Sequence, residues 1–150
     1  MYSDTSAKSR ALENIGWIYY RQGQWQRSLT YSSEAFRLAH ASGDKLQAAR
    51  LMNNLGAISY EQRDYEKAIV QFKEGYELAT AVNDLATRIR SLNNVALNFS
   101  RAGNQDSALV YVQKSFQLNK DAGSPYLTSF AHRIVGDIYL SNGNSDTAQY

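Results

Sequence analysis

The sequence has no cysteine and a single proline, Pro125. Without cysteine there is no disulfide and no thiol chemistry, which is compatible with cytoplasm or periplasm, the cytoplasm being the expected compartment. One proline leaves long helices free to run uninterrupted. Charge of one sign is also scarce. Sixteen basic and 14 acidic residues are scattered along 150 positions for a net charge of +2, so no field recruits nucleic acid or a membrane surface. No apolar run approaches the ~20 residues of a membrane span, and the opening MYSDTSAKSR lacks a signal-peptide pattern. A soluble chain that does not insert into membranes is expected.

Reactive constellations are missing as well. His40 and His132 are the only histidines, and no carboxylate cluster joins them at metal-ligand spacing. No GxSxG surrounds any serine, and neither GxxxxGK nor GxGxxG occurs. The sequence therefore predicts no catalytic residue, no metal site and no cofactor: a protein that is not an enzyme. Its aromatic residues recur with the helix period, which suits packing better than a base-stacking platform for nucleic acid.

What the chain does have is a repeat. Shifted by 40 residues, the sequence lands on itself: Gly16, Gly56, Ala96 and Gly136 coincide, as do Ile15, Leu55, Val95 and Val135. The segments Arg21 to Trp25, Glu61 to Tyr65, Arg101 to Gln105 and Ser141 to Ser145 coincide as turns, with Gly23, Gly103 and Gly143 suited to the left-handed conformation that ends a helix. Around each turn, apolar residues step by three and four. Leu51, Met52, Leu55 and Ile58 form one stripe, and Tyr65, Ala68, Ile69, Phe72, Tyr76 and Ala79 form another. Each unit reads as a helical hairpin, and a fixed period of this size means a stack of them. The expected helices run from about Ala7 to Arg21, Trp25 to Ala41, Lys45 to Gln62, Tyr65 to Val82, Leu85 to Arg101, Gln105 to Asp121 and Tyr126 to Ser141. Asp4, Asp44 and Asp84 fall at N-cap positions.

These residues resemble the tetratricopeptide repeat across nearly the whole chain. The family's small residue in its first helix is matched by Gly16, Gly56, Ala96 and Gly136, and the large residue three places on by Tyr19, Phe99 and Tyr139, with Ser59 departing. Its small residue early in the second helix is matched by Ala68, Ala108 and Ala148, with Ser28 a mild departure. The unit is longer than the usual one of about 34 residues, and the family's closing proline is absent. The resemblance implies an all-α, right-handed superhelical solenoid of antiparallel hairpins. It would form one domain with repeats at about 5–44, 45–84 and 85–124 and an incomplete fourth at 125–150. It also implies a protein-interaction module with a concave groove. Longer repeats of this kind resemble those of peptide-binding adaptors and of bacterial signalling proteins, where such a segment senses or regulates for an output domain, a kinase or transcriptional regulator, elsewhere.

Three polar ladders follow the same register: Arg10, Arg50 and Arg90; Asn14, Asn54 and Asn94; and Asn53 with Asn93. By resemblance these positions face the groove, together with Glu13, Trp17 and Arg133. An Asn amide can bond both C=O and N–H of an extended backbone, and Arg offers a fork for carboxylates, so the expected ligand is a peptide or partner protein of acidic character. The same periodicity would arise if the arginines paired with Asp4, Asp44 and Asp84, six residues earlier, while the asparagines satisfied backbone between hairpins. Where the last hairpin is incomplete, Val135, Ile138 and Tyr139 are expected to lack part of their cover, which would permit weak self-association.

Overall fold

The computed structural model describes residues 2–148. They form seven helices: α1 (Tyr2–Arg21), α2 (Trp25–Ala41), α3 (Lys45–Glu61), α4 (Tyr65–Ala81), α5 (Leu85–Arg101), α6 (Gln105–Ala122) and α7 (Pro125–Ala148). No strand occurs among the described residues.

Five of the six turns between the helices share one hydrogen-bond pattern, and the sixth, at Gly123, keeps the positive φ but bonds Asn119 O instead. Gly23, Gly43, Arg63, Asn83, Gly103 and Gly123 all have positive φ, and they lie 20 residues apart, so connections within and between hairpins are alike. At the first of them Gly23 N–H donates to Tyr20 O at 3.0 Å and Gln24 N–H to Tyr19 O at 2.9 Å, satisfying carbonyls at the end of α1. The next helix begins at once. Asp44, Asp64, Asp84 and Asn104 each accept from the backbone N–H three residues on, at 3.1 to 3.2 Å. Asp4 does not share this role: α1 begins at Tyr2, so Asp4 sits inside its first turn.

The core is a series of small clusters strung along the stack, as expected when each unit buries its apolar stripe only against its neighbours. Ala35, Ala39, Ala48 and Leu51 form one cluster, Ala68, Ile69, Phe72 and Val95 another, and Ala96, Ala108, Val112, Ile134 and Ile138 a third. The hairpins cross where the small residues lie. A Cβ on Gly16 would stand 2.6 Å from Ser32 Oγ and one on Gly56 2.8 Å from the Phe72 ring, while Ala96 is wholly buried. Ser28 keeps its crossing polar but satisfied, since its Oγ donates to Gly16 O at 2.8 Å.

The C-terminal segment departs from the 40-residue register. No turn forms at 141–145; α7 continues through Gly143 to Ala148. Among the described residues no returning helix packs there, so the backbone has no tertiary contact to set against the cost of leaving the i→i−4 ladder. For the same reason a Cβ on Gly136 would meet nothing within 4 Å. Ile138, expected to be partly uncovered, is fully buried in the cluster of Ala96, Ala108 and Val112, Val135 is half-buried, and Tyr139 is exposed. The N-terminal end also carries bare apolar residues, Ile15 and Ile18, where Leu55 and Ile58 of the next unit are covered.

Candidate functional site

The odd-numbered helices form the inner layer. Each touches the next in the series α1, α3, α5 and α7, whereas α2, α4 and α6 make no contact with one another. Residues of α1, α3 and α5 facing away from the even helices therefore lie on the open side of this inner layer.

Arg10, Arg50 and Arg90 are exposed on these three helices. Arg10 lies one turn from Glu13 and Asn14, and Arg50 one turn from Asn54; Glu13, Asn14, Trp17 and Asn54 line one shallow hollow between α1 and α3. Arg10 and Arg50 thus lie within a helical turn of residues that line the hollow, and Arg90 holds the same register on α5. They do not pair with the aspartates of the turns. Asp44 and Asp84 are occupied as helix caps, and the one ion pair among the described residues is Arg37 with Glu34 at 2.6 Å, on α2. Their mutual hydrogen bond lowers the Glu34 carboxyl below its usual range and raises the Arg37 guanidinium.

The second and third ladders divide. Asn14 is exposed, and Asn54 and Asn94 are half-buried on the inner layer. Asn54 Nδ2 donates to Glu13 Oε1 at 3.1 Å. Asn53 and Asn93, however, are buried and hydrogen-bonded within the protein. Asn53 Oδ1 accepts from Ser91 Oγ at 3.0 Å, and Asn93 is wholly buried, donating to Leu127 O at 3.3 Å and accepting from Ser115 Oγ. One residue before Asn54 or Asn94 on a helix is a rotation of about 100°, which turns the side chain from the open surface into the seam between hairpins. Arg133 is exposed on α7, its guanidinium 4.9 Å from the centre of the Phe130 ring.

The aromatic part of this face is held from behind. Trp17 is 45% exposed and stacks on Tyr20, with centroids 4.8 Å apart and planes 11° apart. Tyr20 leans on Trp25 at 5.3 Å and donates its hydroxyl to Glu61 Oε1 at 3.2 Å. Burial first, and then the Glu61 carboxylate, push the Tyr20 phenol up to about 12.

Residues 8–81 match the family described as Tetratricopeptide repeat. This segment carries tetratricopeptide repeats. Solved structures share the fold. The N-terminal domain of stress-induced protein-1 from C. elegans superposes with TM-score 0.72 at 13% identity, covering 88% of this chain and 98% of that one. Aspartyl phosphate phosphatase F from Bacillus subtilis gives TM-score 0.86 at 18% identity, covering 98% of this chain and 39% of that one. The apo form of RapI gives 0.85 at 16% identity, covering 98% and 41%. The chain thus spans about two fifths of the length of the latter two structures. No curated protein matches the sequence.

Within these tetratricopeptide repeats the sequence reading missed Gln47. It is 3% exposed, and its Nε2 donates to Glu13 Oε2 at 2.6 Å, so Glu13 is held by two amides of α3. The signal was faint: Gln47 falls in register with Ala7 and Thr87, and a lone Gln there reads as surface. Among the described residues no helix is long and apolar enough to cross a membrane, and no group of three His, Asp or Glu is placed to hold a metal ion.

Proposed function

We propose that this chain is a non-enzymatic interaction module that binds a peptide or partner protein of acidic character along its concave face. The observation that carries the reading is the set of three exposed arginines, Arg10, Arg50 and Arg90, at equivalent places on successive inner helices with no acidic partner among the described residues. Free guanidiniums in a row present forks that suit carboxylates, and Asn14, Asn54 and Asn94 alongside offer amides to a peptide backbone. The tetratricopeptide-repeat fold supports a protein-binding role without naming the ligand.

The test is binding of a fluorescently labelled acidic peptide to the wild type and to an Arg50→Ala, Arg90→Ala double variant at several salt concentrations. Wild-type binding should weaken with salt, because exposed charges are screened over roughly 8 to 10 Å near physiological ionic strength. The double variant should bind less tightly and with a shallower salt dependence. Equal affinity in both proteins would sink the arginine edge as a binding surface.

A second reading, that the chain is the regulatory or sensory part of a larger signalling protein, is compatible with its sharing a fold with two fifths of aspartyl phosphate phosphatase F and of RapI. Peptide binding and regulation are compatible, since a bound peptide can shift the arrangement of stacked hairpins.

A further inference from the structure

The hollow between α1 and α3 has a chemistry opposite to that of the arginine edge beside it. Glu13 is the one charged residue of its lining, which is completed by Asn14, Trp17 and Asn54. Glu13 is half-buried, yet its supporting partners are neutral: Gln47 Nε2 on one oxygen at 2.6 Å and Asn54 Nδ2 on the other at 3.1 Å. Arg10, one turn away on the same helix, forms no ion pair with it. A carboxylate has about four lone-pair sites, so two amide donors fix its orientation and leave acceptor capacity unused.

The indole is equally prepared. Tyr20 covers one face of Trp17, and Tyr20 is itself held by Trp25 and Glu61, so the ring stands in one place while 45% of the residue stays open. An aromatic face beside an oriented, uncompensated carboxylate is the arrangement that takes up an organic cation, through charge-assisted hydrogen bonds on one side and cation–π attraction on the other. Because both parts are held by second-tier contacts, little ordering remains to be done when a cation enters.

The geometry points to a cation subsite formed by Glu13, Trp17, Asn14 and Asn54, which takes the basic side chain of a bound peptide, arginine in preference to lysine. Arginine is favoured because a planar guanidinium can stack on the indole and fork toward the carboxylate at once, which an ammonium cannot. This deepens the proposed groove and rests on it for the identity of the ligand: the peptide is mixed in charge, a basic residue seated in the hollow and acidic residues along the arginine edge. The hollow itself is a property of this chain and can be probed alone.

The probe is N-acetyl-arginine amide, with its neutral isostere N-acetyl-citrulline amide as control, titrated while the Trp17 indole N–H is followed by NMR. Trp25→Phe assigns the resonance. The arginine compound should shift the Trp17 signal saturably, in the millimolar range expected of one small ligand, and bind about fivefold or more tightly than the citrulline compound. Glu13→Gln should remove that preference, and Trp17→Leu should weaken binding of the cation. Equal binding of both compounds by the wild type, or no shift of Trp17, overturns the subsite whether or not any variant folds. An acidic peptide that fails to bind while the arginine compound succeeds would reject the arginine edge and keep the subsite. The reverse pattern would keep the edge and reject the subsite.

Discussion

Asn53 Oδ1 accepts a hydrogen bond from Ser91 Oγ at 3.0 Å, joining α3 to α5 across 38 residues of sequence. Ser91 Oγ also lies 2.8 Å from Thr87 O, and a Cβ on Gly75 would stand 2.9 Å from the same Asn53 oxygen, so the amide is enclosed by three helices. It is a tie between hairpins.

That tie should be visible in stability. Asn53→Ala removes the acceptor and leaves a void among buried groups, at a cost of about 1 to 3 kcal/mol. Asn54→Ala, one residue on and half-buried, should cost less while disturbing Glu13. Denaturant titration of the two variants checks the order.

The small residues of the first helices should also separate. Gly56→Ala drives a methyl into the Phe72 ring at 2.8 Å and should destabilise by about 1 to 3 kcal/mol. Gly136→Ala meets open space inside α7 and should stabilise by about 0.5 to 1 kcal/mol, because Ala loses less freedom than Gly on entering a helix. Opposite shifts in melting temperature are the expected outcome; a like shift in both would contradict the open face at Gly136.

Arg63 has φ of 61° where Gly23, Gly43, Gly103 and Gly123 occupy the equivalent turns. The left-handed conformation costs a residue with a Cβ roughly 1 to 2 kcal/mol, offset in part by the greater freedom glycine loses on folding. Arg63→Gly should therefore raise stability by about 0.5 to 1 kcal/mol. Gly43→Ala should lower it, although a Cβ there would touch nothing within 4 Å. Chemical denaturation of both distinguishes backbone strain from packing.

Tyr20 should titrate late. Its phenol is raised to about 12 by burial and by Glu61, so the folded state holds the proton more firmly than the unfolded chain, whose tyrosines titrate near 10. The contribution of this group to stability is fully present below about pH 10 and is lost as the pH rises through about 12. Difference absorbance between the wild type and Tyr20→Phe isolates its transition from those of the other tyrosines. Glu61→Gln should move it downward.

The repeat, the helices and the crossing residues were legible in the sequence because they depend on local chemistry. A 3.6-residue apolar stripe, a left-handed residue and a capping carboxylate act over a few positions, and the shift of 40 exposes them together. The finer 20-residue spacing was present too, but Arg63 and Asn83 stand where glycine would have announced it. Tertiary contacts decided the rest. Asn53 and Asn54 are neighbours with the same chemistry and the same period, and only the seam between α3 and α5 makes one a tie and leaves the other half-buried against Glu13. Gly136 and Gly56 are equivalent in register, yet one has a ring against it and the other has nothing, because a crossing exists only where a second helix arrives. Glu13 shows the same division: its place on the inner helix follows from the register, whereas Gln47 and Asn54, 34 and 41 residues away, determine that it is oriented by neutral donors and left unpaired with a cation.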